Sequence, residues 1–82
     1  MKQEDFLLIM DLIDGAYQNF RLTDNVLKAY YDYLKHYTNK DVWNIAHAWI
    51  EKNDNPPTIR NLVEMLKQYC TPVDEQEEAN GN

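Results

Sequence analysis

Histidine, cysteine and paired carboxylates are the side chains that most often bind metals or move protons, and this chain places few of them together. His36 and His47 lie in different predicted helices, and no Cys, Asp or Glu completes a metal-ligand set at helical spacing from both. Asp11 and Asp14 are one helical turn apart, but carboxylates on the polar side of a helix are usually solvated, and no acid–base partner is near. The single Cys70 is interpreted as an apolar filler at a helix end. We therefore predict no catalytic residue, no metal site and no cofactor, and we do not expect an enzyme.

Aromatic residues are concentrated in two adjacent predicted helices, and they are Tyr30, Tyr31, Tyr33, Tyr37, Trp43 and Trp49. At 100° per residue, Tyr30, Tyr33 and Tyr37 share one apolar stripe and are expected in the core. Tyr31 and Trp43 fall beside the stripes of their helices. Partly exposed Tyr and Trp side chains often anchor protein interfaces, so Tyr31 and Trp43 are candidate partner contacts. The alternative is that both residues simply widen a thin core.

The acidic excess of the chain is uneven. Its 82 residues include 8 basic and 14 acidic side chains, for a formal net charge of −6. Up to Cys70 the charges nearly balance, whereas the last stretch adds only carboxylates: Asp74, Glu75, Glu77 and Glu78. The basic residues are scattered singly, so direct binding to nucleic acid is not expected. The four carboxylates form either a solubilising terminus or an electrostatic arm for a basic partner surface, and they are candidate partner contacts.

Apolar residues recur at helical spacing in four segments, each of which predicts an amphipathic helix. The stripes contain Phe6, Ile9, Met10, Ile13, Ala16, Tyr17 and Phe20; then Val26, Leu27, Tyr30, Tyr33, Leu34 and Tyr37; then Val42, Ile45, Ala46, Trp49 and Ile50; and finally Ile59, Leu62, Val63, Leu66 and Tyr69. The expected N-caps of the last three helices are Thr23 or Asp24, Asn39, and Thr58. The double proline in segment 53–57 separates the third helix from the fourth.

These elements predict an all-α fold, a small bundle of about four short helices with a disordered acidic C-terminal tail. We place the helical domain at residues 1–71 and the tail at residues 72–82. No apolar run is long enough to span a bilayer, and the acidic N-terminus is unlike a signal peptide. The single cysteine demands no oxidising compartment. We therefore expect a cytoplasmic protein without membrane contact, either a monomer or a weak dimer.

Four short motifs follow one another along the chain. They are A-Y-Q-N-F at 16–20, Y-Y-x-x-L at 30–34, V-x-x-I-A-x-x-W-I at 42–50 and P-P-T-I-x-x-L at 56–62. Their order, over about residues 5–66, resembles the N-terminal helical domain of the phage replicative-helicase loader and inhibitor proteins. The sharpest element of the resemblance is P-P-T-I leading into a helix, and its Pro56 and Pro57 are further candidate partner contacts.

The resemblance implies a non-enzymatic adaptor of phage DNA replication that works in the cytoplasm of the bacterial host. Such an adaptor binds the replicative helicase, its loader or the replication initiator, and loads or inhibits the helicase. An alternative function is a small acidic phage inhibitor that occupies a nucleic-acid-binding surface of a host or defence protein, which the acidic tail favours. A helix-turn-helix module for DNA is a third possibility, which the scattered basic residues disfavour.

Overall fold

The computed structural model describes residues 1–73, which form four α-helices and no strand. The helices are α1 (Gln3–Ala16), α2 (Asp24–Leu34), α3 (Asn39–Lys52) and α4 (Ile59–Tyr69). The predicted all-α bundle is thereby confirmed. The predicted tail lies outside the described residues from Asp74 onward, and its boundary near residue 71 stays a prediction. Within the described part of the chain, no helix is long and apolar enough to cross a membrane.

Threonine caps three of the four helices. Thr23, Thr38 and Thr58 each adopt an extended backbone and accept a hydrogen bond from the amide three residues further on. The prediction of Asn39 as the cap of α3 is wrong, because the Thr38 hydroxyl accepts the capping hydrogen bond and the helix begins at Asn39. At α4 the Asn61 side chain accepts a bond from the Thr58 amide, which completes a capping box.

The helices pack in a ring, in the order α1, α3, α4, α2. The α1 helix packs against α3 and α2, and α4 packs against the same two helices. Apolar side chains from all four elements fill the space between them. The buried core contains Met1, Phe6, Ile9, Met10, Ile13, Tyr17, Tyr30, Leu34, Tyr37, Val42, Ile45, Ala46, Leu62 and Leu66.

Two tyrosines predicted on core stripes are exposed instead. Tyr33 is 58% exposed and Tyr69 is 68% exposed. The buried arc of α2 is centred between Tyr30 and Leu34, so Tyr33 lies about 100° from its middle, whereas Tyr31 lies within about 60°. Tyr69 is the last residue of α4, where the helix ends. The placement of both tyrosines in the core was therefore wrong.

Candidate functional site

The segment 53–57 between α3 and α4 is held by three aromatic side chains from separate parts of the fold. Its first, third and fifth carbonyls accept these hydrogen bonds, and they belong to Asn53, Asn55 and Pro57. The Tyr17 hydroxyl donates to the first at 2.8 Å, the Trp49 ring N–H to the second at 2.7 Å and the Tyr30 hydroxyl to the third at 2.8 Å. Residues after α1, in α3 and in α2 thus fix one loop, which we call the double-proline segment.

The chemistry of this segment explains why side chains must supply the donors. Pro56 and Pro57 carry no amide hydrogen and cannot continue a helix, so the segment offers carbonyl acceptors without a regular partner. Burial raises the pKa of the Tyr30 and Tyr17 hydroxyls, and the Asp54 carboxylate raises the pKa of Tyr17 further. Both hydroxyls therefore keep the proton that they donate at neutral pH.

All four sequence motifs meet at the double-proline segment. The first motif contributes Tyr17, the second Tyr30 and the third Trp49, and the fourth contains the two prolines. Pro57 is fully buried and Pro56 is half-buried. A partner contact through these prolines stays a prediction, and the burial of Pro57 favours a structural role for it. The motifs therefore describe how this fold is locked together.

Tyr31 is half-buried between α1 and α2. Its ring meets that of Phe6 edge to face, with 5.1 Å between the ring centroids, and its hydroxyl donates to the Met1 carbonyl at 3.0 Å. These two partners, in α1 and just before it, hold the ring in place. A role for Tyr31 in binding another protein stays a prediction, and its contacts show that it already joins α2 to the start of the chain.

Trp43 lies on the outer side of α3 and is 38% exposed. Its ring meets that of His47, one turn further along the helix, edge to face at 5.0 Å between centroids. His47 is exposed as well. The pair presents a rigid aromatic surface to solvent, with a large apolar ring beside a polar one, which is the composition that protein interfaces favour at their centre.

An open groove of about 570 Å³ runs between α2 and α4. We call it the α2–α4 groove, and its lining consists of Tyr33, Ile59, Arg60, Val63, Glu64 and Lys67. The half-buried Ile59 and Val63 give it an apolar floor, while the three charged side chains are exposed. Sequence reasoning missed this groove because it placed Tyr33 in the core. The spacing of Arg60 and Lys67, seven residues apart on one helix, was the available signal.

The remaining candidate residues carry no described geometry. Asp74, Glu75, Glu77 and Glu78 lie outside the described residues. In residues 1–73, no group of three His, Cys, Asp or Glu side chains is arranged to hold a metal ion. Burial raises the pKa of the Cys70 thiol, and the Asp41 carboxylate, which forms a hydrogen bond with that thiol, raises it further. The described surface is thus one for contact with other molecules.

Comparison with known families assigns the chain. The family model that describes the N-terminal domain of a phage helicase-loader and inhibitor protein matches residues 1–63, which cover α1, α2, α3 and the first turn of α4. The chain belongs to this family of phage helicase-associated proteins, and the resemblance read from the motifs is confirmed. No curated protein and no solved structure matches the chain.

Proposed function

We propose that this protein is an adaptor that binds a replicative helicase, or the loader or initiator that accompanies it, and thereby loads or restrains the helicase. The observation that supports this function is the family match, which extends through the double-proline segment and into α4. In this proposal the protein catalyses no reaction and works through contact alone. Its site of action is the cytoplasm of the bacterial host.

The outer side of α3 is the contact surface that we propose. Trp43 combines a large apolar ring with 38% exposure, and the edge-to-face contact with His47 holds that ring in one orientation. A side chain that is ordered before binding loses less conformational entropy when the complex forms. Removal of such an anchor commonly costs about 2 kcal/mol or more of binding free energy.

Binding to purified replicative helicase at physiological salt tests the function directly. We expect the full chain to bind, and Trp43→Ala to weaken the complex by about tenfold or more in titration calorimetry. Tyr69→Ala is the matched control, because Tyr69 is an exposed aromatic on α4 and we expect its removal to leave the affinity unchanged. Absence of binding to the helicase, its loader and the initiator would rule out the proposed function.

The salt dependence of the same titration separates this function from the alternative inhibitor. An arm that occupies a nucleic-acid-binding surface makes exposed ion pairs, so its affinity falls steeply with ionic strength. A complex built around Trp43 depends mainly on apolar burial and changes little with salt. Binding that needs the four tail carboxylates and is indifferent to Trp43→Ala would favour the inhibitor.

A further inference from the structure

The chain beyond α4 returns to the end of α2. After Cys70, the C-cap of α4, the backbone crosses to α2, where the Val73 amide donates to the His36 carbonyl at 2.6 Å. His36 lies two residues past the end of α2, so the C-terminal ends of the two helices are held close together. Tyr33 and Lys67, from the last turns of α2 and α4, line the α2–α4 groove near these ends. Residue 74 therefore follows directly at one end of that groove.

The charges along the groove alternate in a regular way. Arg60 and Lys67 are seven residues apart on α4, which places them on one face and about 10.5 Å apart along the helix axis. Glu64 lies between them on the same face. Along the groove the order is thus positive, negative, positive, above an apolar floor.

The segment that follows Val73 has the complementary order. Its sequence is D-E-Q-E-E, two pairs of acidic residues separated by Gln76. In an extended chain, residues three apart are separated by about 10 Å, so the spacing between the acidic pairs equals that between Arg60 and Lys67. The uncharged Gln76 then falls opposite Glu64, where a carboxylate would be repelled.

We propose that residues 74–78 of this chain occupy its own α2–α4 groove. Asp74 and Glu75 contact Lys67, and Glu77 and Glu78 contact Arg60. Each exposed ion pair is weak, but the tether at Val73 keeps the segment at a high effective concentration beside the groove. The groove is then covered until a partner or high salt displaces the segment. This proposal concerns the chain alone and does not depend on binding to a helicase.

Paramagnetic broadening in NMR spectra tests the proposal on the full chain. A nitroxide is attached to Asn80→Cys in a Cys70→Ser background, since Cys70 is the only natural thiol. We expect strong broadening of the Ile59 and Arg60 amides at the far end of the groove. Neutralising the tail by Asp74→Asn with Glu75→Gln, Glu77→Gln and Glu78→Gln should reduce that broadening to the level seen along α3, as should high salt.

Charge exchange provides the decisive control. Arg60→Glu with Lys67→Glu should abolish the broadening, and changing the four tail carboxylates to lysine in that variant should restore it. Lys40→Glu with Lys52→Glu makes the same change of charge at exposed sites on α3 and should have no effect. Broadening that persists with the neutral tail, or that spreads equally over α1 and α3, would overturn the proposal. Broadening between a nitroxide-bearing chain and a separate isotope-labelled chain would assign the groove to a second copy and would also overturn it.

Discussion

The Tyr30 hydroxyl donates a buried hydrogen bond of 2.8 Å to the carbonyl of Pro57, which is 27 residues further along the chain. This bond joins the middle of α2 to the residue that precedes the cap of α4. The Tyr30 ring also meets that of Phe20 edge to face, with 5.9 Å between centroids. A single side chain therefore links α2, the α1–α2 connection and the double-proline segment.

Removing only the hydroxyl of this side chain should destabilise the fold. Tyr30→Phe leaves the buried Pro57 carbonyl without its donor, so we expect the free energy of unfolding to fall by about 1–3 kcal/mol. Urea titration followed by circular dichroism measures this change. Tyr33→Phe is the control, because the exposed Tyr33 should lose less than about 0.5 kcal/mol. Equal stability of the two variants would contradict a structural role for the hydrogen bond.

Alkaline pH should weaken the fold through the same tyrosine. Burial raises the pKa of Tyr30 above its ordinary value of 10.0, so above that pH the unfolded chain releases a proton that the folded chain retains. The unfolded state then binds fewer protons, and stability declines as pH rises through the folded pKa. Urea titrations on both sides of pH 10 should show a shallower decline for Tyr30→Phe than for the wild type. Parallel declines in the two proteins would assign the effect to other groups.

The two tryptophans should differ in their importance for stability. Trp49 is half-buried against the core and its ring N–H donates to the Asn55 carbonyl, whereas Trp43 faces outward beside His47. We expect Trp49→Ala to cost about 2–4 kcal/mol and Trp43→Ala about 1 kcal/mol. Thermal unfolding by calorimetry compares the two. A larger loss at Trp43 would show that its ring is part of the core.

The first helix should be open to stabilisation at its N-terminus. The Lys2 backbone is extended, as at the caps of the other helices, but its side chain makes no cap hydrogen bond. Lys2→Ser supplies the missing acceptor, so we expect a gain of about 0.5–1 kcal/mol in the free energy of unfolding. Thr58→Ala removes the capping box of α4 and should cost about 1 kcal/mol. Chemical denaturation of both variants measures the two changes, and a loss of stability in Lys2→Ser would argue against the capping explanation.

The helices could be predicted from the sequence because their signals are local. The apolar periodicity located all four, and the caps at Thr23 and Thr58 follow from the preference of short polar side chains for helix starts. The rotation of α2 could not be predicted in this way. It depends on Phe6 and Met1, which draw Tyr31 toward α1 and leave Tyr33 in solvent.

The candidate surfaces were harder to predict than the fold. The exposed position of Trp43 followed from its angle to the stripe of α3. The α2–α4 groove requires that two helices distant in sequence lie side by side, which no local pattern indicates. The acceptors of the double-proline segment were hidden for the same reason, since the sequence shows that prolines break a helix but not which donors reach the carbonyls.

The double-proline segment also has a consequence for the order in which the protein folds. Its bond to Trp49 spans six residues and can form while α3 is still isolated, but its bonds to Tyr30 and Tyr17 span 27 and 36 residues. Those two contacts close large loops and require α1 and α2 to be docked first. The segment therefore reaches its final conformation late, so its hydrogen bonds mark the completion of folding rather than its nucleation.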